Sequence, residues 1–311
     1  MTAVRRTPKS APATLADLGE ERLVAALTRR LKSGAEVLVG AGPDDCAVIG
    51  HPREARWQLL KTDVVVEGVH FLPDADPRRV GWKALGRAIS DIAAMGGVPA
   101  HALITIAAPA RTPVARVKGL YAGLEKAARR FGVGIVGGET SRSPGPLFLN
   151  VALTGWVERT RCVLRSGGKP GDALYVTGRL GGSLAGRHLD FRPRLEEARW
   201  LVSHCKPHAM MDLSDGLAAD LPRLAAASGC GYALEESLLP CAPGCTPAQA
   251  IGDGEDYELL LAVAPRTAAV LEVAWEERFP RLPLTRIGRL ERRSQAGNRK
   301  KPRGYDHFAQ R

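Results

Sequence analysis

Leu23, Leu27 and Leu31 recur at four-residue spacing within 20–32, which predicts an amphipathic helix ending before Gly34. Residues 57–71 are rich in Val and Leu and predict one or two strands. Asp76 followed by Pro77 marks a helix start, because the Asp side chain can accept from free N–H groups and Pro fits the first turn. Val80, Ala84, Leu85, Ala88, Ile89 and Ile92 then form one apolar stripe, and Gly96 ends it. The stretch HALITIA, 101–107, predicts a buried strand, and a second helix runs from Thr112 and Pro113 to near Phe131. Strands are expected at 134–136 and 147–157.

The segment ERTRCVLRSGGKPGD, 158–172, is polar and turn-rich and divides the chain into two parts, 15–157 and 158–311, after a basic tail at 1–14 that is expected to be disordered. Beyond it, strands are predicted at 173–177, 232–234 and 257–263, and helices at 182–188, 193–203, 217–227 and 265–277. Strands and helices mix in both halves, so the expected fold class is α/β or α+β with two domains.

Composition changes this picture little. The chain has 311 residues, of which 45% are hydrophobic and 25% charged, an ordinary globular balance. Its net charge of +11 would point to nucleic acid if it were spread over the body. It is not: residues 1–14 hold Arg5, Arg6 and Lys9 and no acid, and 286–311 hold nine Lys or Arg against Glu291 and Asp306. The span between them is nearly neutral, and no aromatic residues interleave with the basic ones as a stacking platform requires, so no nucleic-acid partner is expected. The longest run without Asp, Glu, Lys or Arg, 92–110, is broken by Gly96, Gly97, Pro99 and Pro109, so no membrane segment is expected. MTAVRRTPKSAPAT lacks the apolar stretch of a secretory signal, and six scattered cysteines make no disulfide framework, so a cytoplasmic location is expected. His204, Cys205 and His208 with Cys241 and Cys245 do not match a common structural-zinc spacing.

The chemistry-bearing feature is a series of acidic residues in short turn-like or strand-end settings. They are Asp44 and Asp45 in GPDDCA, Asp63 in KTDVVVEGVHF, Asp91 in AISDIAAMGG, Glu139 in VGGETS, Asp212 and Asp215 in MMDLSDGL, and Glu255 and Asp256 in GDGEDYELL. Any one alone reads as a cap or turn residue. Seven or more among small and apolar neighbours imply a common partner. Gathered out of water, carboxylates raise one another's pKa unless cations intervene, and magnesium is the hard cation that also bridges phosphate oxygens. The familiar phosphate loops are absent. SGGKPGD puts Pro170 where a P-loop needs a hydroxyl residue, and Gly132, Gly134 and Gly137 follow a helix and enter a strand, the reverse of a dinucleotide fingerprint.

In order along the chain, DDCAV, TDVVVEGVHF, SDIAAMGG, GGET, RSGGKPGD, DLSDGL, GEDYELL and the terminal GYDHF resemble the thiamine-monophosphate kinase family of the aminoimidazole ribonucleotide synthetase-like superfamily. The resemblance spans about residues 15–308. It implies a two-domain fold of that superfamily, with an ATP- and magnesium-binding N-terminal domain that pairs its sheet in a homodimer. It implies magnesium-dependent phosphoryl transfer from ATP, as co-substrate, to thiamine monophosphate, with several Mg2+ ions. Asp45, Thr62, Asp63, Asp91, Glu139, Asp212 and Asp215 fall at its metal positions, Asp63, Asp91 and Asp215 being the expected centre of the chemistry. Gly138, Glu139, Arg165 and Ser214 fall at nucleotide positions, and His70, Glu255 and Tyr305 where the thiamine phosphate is held. Lys61 stands at a further metal position where members often carry a small hydroxyl residue. Glu139 replaces a common Asp, Pro43 a Gly, and the stretch between Gly186 and Met211 is short. Two alternatives stay open. One is another enzyme of the superfamily, although residues 1–40 hold no Cys as a selenophosphate synthetase would, and the chain ends HFAQR, not in a cysteine-bearing tail. The other is a relative that binds nucleotide or RNA without turnover.

Overall fold

The structure, a computed structural model, describes residues 14–293, 305, 307 and 308. Of the tail expected to be disordered, 1–14, residues 1–13 lie outside them, as does most of the basic C-terminal stretch, while Thr14 is described and caps the first helix. Among the described residues, 14–32 with 307 and 308 form one unit, and 33–293 with 305 the other. In the first, α1 (Leu15–Leu18) opens with Thr14 and Asp17 as a reciprocal capping box. α2 (Glu20–Thr28) stops short of the expected 32, where the Leu31 N–H turns back to the Thr28 carbonyl at 3.0 Å.

In the larger unit, β1 (Val37–Val39), β2 (Ala47–Ile49), β3 (Arg56–Val66), β4 (Val98–Ala108), β5 (Gly134–Arg142) and β6 (Phe148–Glu158) make one sheet in the order β1-β2-β3-β6-β4-β5. Only the β4–β5 pair is parallel. α3 (Pro77–Ala94) packs on β3 and β6, and α4 (Val114–Phe131) packs on α3. The expected start of α3 is realised: Asp76 accepts from the Arg78 N–H at 2.9 Å, and Pro77 is the first helical residue. α3 and α4 approach closely because Gly81 faces the Leu120 carbonyl and Gly123 faces that of Arg78, so a Cβ at either position would collide with backbone. The core beneath them joins Val80, Leu85, Ile89 and Ile92 to Leu59, Ile104, Leu149 and Val151.

A second sheet, all antiparallel, runs in the order β8-β10-β7-β11-β9. Its strands are β7 (Ala173–Thr177), β8 (Ala209–Asp212), β9 (Cys230–Leu234), β10 (Leu259–Val263) and β11 (Leu284–Arg292). α6 (Leu217–Ala227) covers one face with Leu217, Leu221 and Leu224, while α5 (Leu195–His204) and α8 (Pro265–Arg278) cover the other. A short α7 (Pro247–Gly252), capped by Thr246 and Gln249, lies beside α6. The helix expected at 182–188 is two 3-10 turns, Ser183–Ala185 and Arg187–Leu189, split at Gly186. The basic stretch from 286 is not all tail. Arg286, Arg289 and Arg292 lie on β11, whose Ile287 and Leu290 are buried.

α3 touches both halves: its end residues Ala93 and Ala94 join the core of Leu201, Val202 and Met210, and it contacts α5 and β8. Glu158, at the end of β6, reinforces that contact by accepting from Arg199 of α5 at 2.7 and 2.8 Å. These Arg199 hydrogen bonds hold the Glu158 carboxyl down at about 2. A carboxyl depressed in the folded state stabilises above its unfolded value near 4.5, and that contribution vanishes as the pH falls toward 2. Glu158→Gln is therefore expected to lower the melting temperature at pH 7 by a few degrees, about 1 kcal/mol for a partly exposed pair, and to flatten the acid side of the melting profile. An unchanged profile would show that this pair does not join the halves energetically.

Candidate functional site

Three elements distant in sequence deliver carboxylates to one place. Asp45 precedes β2, Asp91 lies in the last turn of α3, and Asp212 ends β8. One ligand oxygen from each lies within 4.8 Å of the others, and all three side chains are buried. Each is placed by local structure. The DD turn bonds to the 165 backbone, with the Arg165 N–H donating to the Asp44 carboxylate at 3.1 and 3.2 Å. The helical stripe puts Ser90 and Asp91 against β8, and the Ser90 hydroxyl donates to Asp212 at 2.5 Å. β10 fixes Asp212 by pairing it with Leu259.

The electrostatics are those of anions crowded out of water. Burial, then the Asp45 charge, pushes Asp212 up to about 7. Asp44 rises to about 7 for the same reasons. Burial lifts Asp91 well above the ordinary carboxylate range, with Asp63, Asp212 and Asp45 adding to the effect against the opposing charge of Lys61. Cationic side chains answer in part. Arg165 pairs with Asp45, its Nε at 3.1 Å from Oδ1, and the Lys61 ammonium lies 2.9 Å from Asp91. Arg87 approaches Asp63 at 3.6 Å and donates to the Val64 carbonyl at 3.0 Å. Burial opposes the charge of Asp63, yet Lys61 and Arg87 keep it below the usual range. Among the described residues, the buried Asp45 Oδ2 has no hydrogen-bond partner.

A second cluster forms beside the first around Lys83, a fully buried residue of α3. Its ammonium donates to the His70 carbonyl at 2.7 Å, lies 2.7 Å from His188 Nδ1 and pairs with Glu255. His70 is buried on the turn after β3, its Nδ1 accepting from the Val66 N–H at 3.1 Å. Glu255 sits on a loop held by its own N–H to the Ser214 carbonyl at 2.7 Å, with a backbone φ of 57°. Burial works against its charge, but His188 and Lys83 hold the Glu255 carboxyl at about 2.

The structure thus brings Asp45, Lys61, Asp63, Asp91, Arg165 and Asp212 together, and joins His70 to Glu255 through Lys83. Ser214, Asp215 and Tyr305 form a third group. The Tyr305 N–H donates to the Asp215 carbonyl at 3.2 Å, and the Asp215 carboxylate faces Arg223 at 2.5 Å, not the trio. Ser214 and Asp215 both donate their N–H groups to Asp220, at 3.1 and 3.0 Å. Thr62 lies on the opposite face of β3 from Lys61 and Asp63, its hydroxyl donating to Asn150 at 3.0 Å, so only its backbone is left to face the carboxylates. Gly138 and Glu139 lie on the exposed strand β5, apart from the trio. A Cβ at Gly138 would collide with the Ile104 carbonyl, and Glu139 accepts from the adjacent Thr140 N–H at 2.8 Å.

Arg87, Lys83, Ser90 and His188 went unread in the sequence. The first three carried a signal: positions 83, 87 and 90 recur at helical spacing with Asp91, a polar stripe on a helix whose other faces are apolar. His188 carried none, since it lies in the short, irregular 186–211 stretch.

The chain is similar to known proteins over nearly all its length. Residues 43–157 match the AIR synthase related protein, N-terminal domain, and residues 169–297 match the corresponding C-terminal domain. The thiamine-monophosphate kinase of Rhodopirellula baltica is 39% identical over 289 residues, covering 87% of this chain and 89% of that protein. The Bacillus subtilis thiamine-monophosphate kinase is 32% identical over 329 residues, covering 94% and 100%. The solved structure of AaThiL complexed with AMPPCP and TMP matches with a TM-score of 0.82 at 32% identity, covering 96% of this chain and 100% of that one.

Proposed function

The chain belongs to the thiamine-monophosphate kinase family of AIR synthase related proteins, and from that membership we propose that it transfers the γ-phosphoryl group of ATP to thiamine monophosphate. The product is thiamine diphosphate. The observation that carries the reading is the convergence of Asp45, Asp91 and Asp212, from three remote segments, into one buried trio. This donor set fits a hard cation: its ligands are all carboxylate oxygens, burial and mutual repulsion disfavour their charge, and Asp45 Oδ2 is left without a partner. Asp45, Asp91 and Asp212 would hold magnesium, with Asp63 beside them. When bound, magnesium supplies neutralisation of phosphate charge.

The acceptor explains why no general base is needed. A phosphate monoester has a second pKa near ~6, so its oxygen is already an anion at neutral pH. The barrier lies in bringing two anionic groups together, a repulsion of several kcal/mol at an effective dielectric of about 20. The residues here act by position and charge. In this reading Arg165 offsets nucleotide charge, Ser214 and strand β5 at Gly138 and Glu139 contact the nucleotide, the Thr62 backbone adds to the metal shell, and Asp215, paired with Arg223 away from the trio, serves a further ion. His70, Glu255 and Tyr305 hold the thiamine phosphate, with Lys83 fixing His70 and Glu255 relative to each other.

The proposal includes an ATP- and magnesium-binding N-terminal domain over 15–157, a C-terminal α/β domain, and a homodimer formed through the first sheet. In support of the dimer, β5 is exposed along nearly its whole length at the sheet edge, with Val136 61% and Leu103 of β4 49% exposed. Among the described residues no helix is long and apolar enough to cross a membrane.

Purified protein incubated with ATP, magnesium and thiamine monophosphate is expected to yield thiamine diphosphate, and none once EDTA is added. Free thiamine and an aminoimidazole precursor run in parallel should give no product. Turnover of either alternative, with none of thiamine monophosphate, would overturn the assignment.

A further inference from the structure

Lys61 lies on the face of β3 that points at the carboxylates, two residues before Asp63 and 2.9 Å from Asp91. Three things distinguish it from a surface lysine. Its side chain is only 21% exposed. Neighbouring β6 pairs it with buried Leu153, so the strand register aims it inward. It carries the ordinary ammonium charge of a lysine and pairs it with the buried carboxylate of Asp91. A protonated amine has no lone pair to give a metal. It therefore cannot serve as a ligand there, although it can serve as a cation.

Resting on the reading that this trio and Asp63 hold divalent ions, we infer that the Lys61 ammonium is a built-in cation of the cage, standing against Asp91 in place of one divalent ion. The chain then takes up one divalent ion fewer than the same cage with a neutral side chain at 61. The charge logic is direct. Asp91 is shared between the trio and Lys61, and a further divalent ion on its Lys61-facing oxygen would have to displace the ammonium or lie against it. A tethered cation also remains when free metal is scarce, so part of the cage stays neutralised in the metal-free protein.

The test counts ions. Native protein, Lys61→Ser and Lys61→Arg are dialysed to equilibrium against Mn2+ and AMPPCP, and the retained manganese is counted per chain. Lys61→Ser is expected to hold one more Mn2+ than native protein, and Lys61→Arg, which keeps the charge, the native number. Melting of the same samples should show a lower metal-free midpoint for Lys61→Ser and a larger rise on adding Mn2+. If Lys61→Ser does not fold, Lys61→Gln replaces it with the same expected count. Equal counts in native and neutral variants would overturn the inference while leaving the cage reading intact. Manganese retained by none of the proteins would overturn both.

Discussion

Asp91→Asn is expected to reduce phosphoryl transfer to thiamine monophosphate by about 10²–10³-fold at saturating magnesium, the scale of losing one electrostatic group at a reacting centre. The melting temperature of the metal-free protein should stay the same or rise. The two outcomes follow from one fact. Asp91 is buried among Asp45, Asp63 and Asp212, and burial first, then those charges, lifts its carboxyl well above the ordinary range despite Lys61. A group whose folded pKa is raised destabilises the native state once it is ionised, so a neutral isostere of the same shape removes a cost to folding. Asn also retains an oxygen to accept from Lys61. A residue kept for stability behaves the other way. If Asp91→Asn retained most of its activity, or melted several degrees lower with activity falling only in proportion, Asp91 would be a folding residue and the trio would lose its functional reading.

That opposition between stability and charge made part of the site legible from the order of residues alone. Acids flanked by Gly, Ala, Ser and Leu, not by Lys and Arg, cannot all be solvated, so Asp45, Asp91 and Asp212 are legible as members of a set of nine, but nothing in the order of residues separates them from the other six. The helices read well where stripe and cap agree, as with Asp76, Pro77 and the apolar face of α3. The long strands β3, β4 and β6 read well because each is rich in Val, Leu, Ile or Ala. Four strands did not read. β8 is four residues long and every one is buried, so it lacks alternation. β11 breaks alternation with a register shift between Arg286 and Gly288, and its outward positions are arginines that merge with the basic stretch after it. β1 and β2 are three residues each, too short for any period. Partner choice was hidden for a different reason. That Asp215 faces Arg223 while Asp212 faces Asp45 depends on the strand end and helix turn between them, which composition does not record. Lys61 is the clearest case. Its neighbours 61–63 read as one motif, yet the pleat sends Thr62 to the far face and leaves Lys61 and Asp63 together.

Lys83→Met should give the largest loss of stability. Lys83 is fully buried, and burial pulls its ammonium down to about 8 in spite of Glu255, so it is still charged at pH 7. Removing it strands Glu255, a mostly buried carboxylate, without its nearest cation. Breaking a buried pair from one side costs about 3–5 kcal/mol, which for a chain of this size lowers the melting temperature by roughly 10 °C. Pairing the change with Glu255→Gln should recover more than half of that loss, because the stranded charge, not the missing methylenes, is the main penalty. The pH profile separates charge from packing. In native protein the Glu255 carboxyl is held at about 2, against burial, by His188 and Lys83, so it stabilises above 4.5 and that contribution is lost as the pH falls toward 2. Without Lys83 the carboxyl rises, and the acid loss between pH 4.5 and 2 should shrink. Because Lys83 also holds the His70 carbonyl, the KM for thiamine monophosphate should rise at least tenfold while the KM for ATP changes little. A double variant no more stable than Lys83→Met, with an unaltered acid profile, would mean that Lys83 fills space and that His70 and Glu255 are positioned by something else.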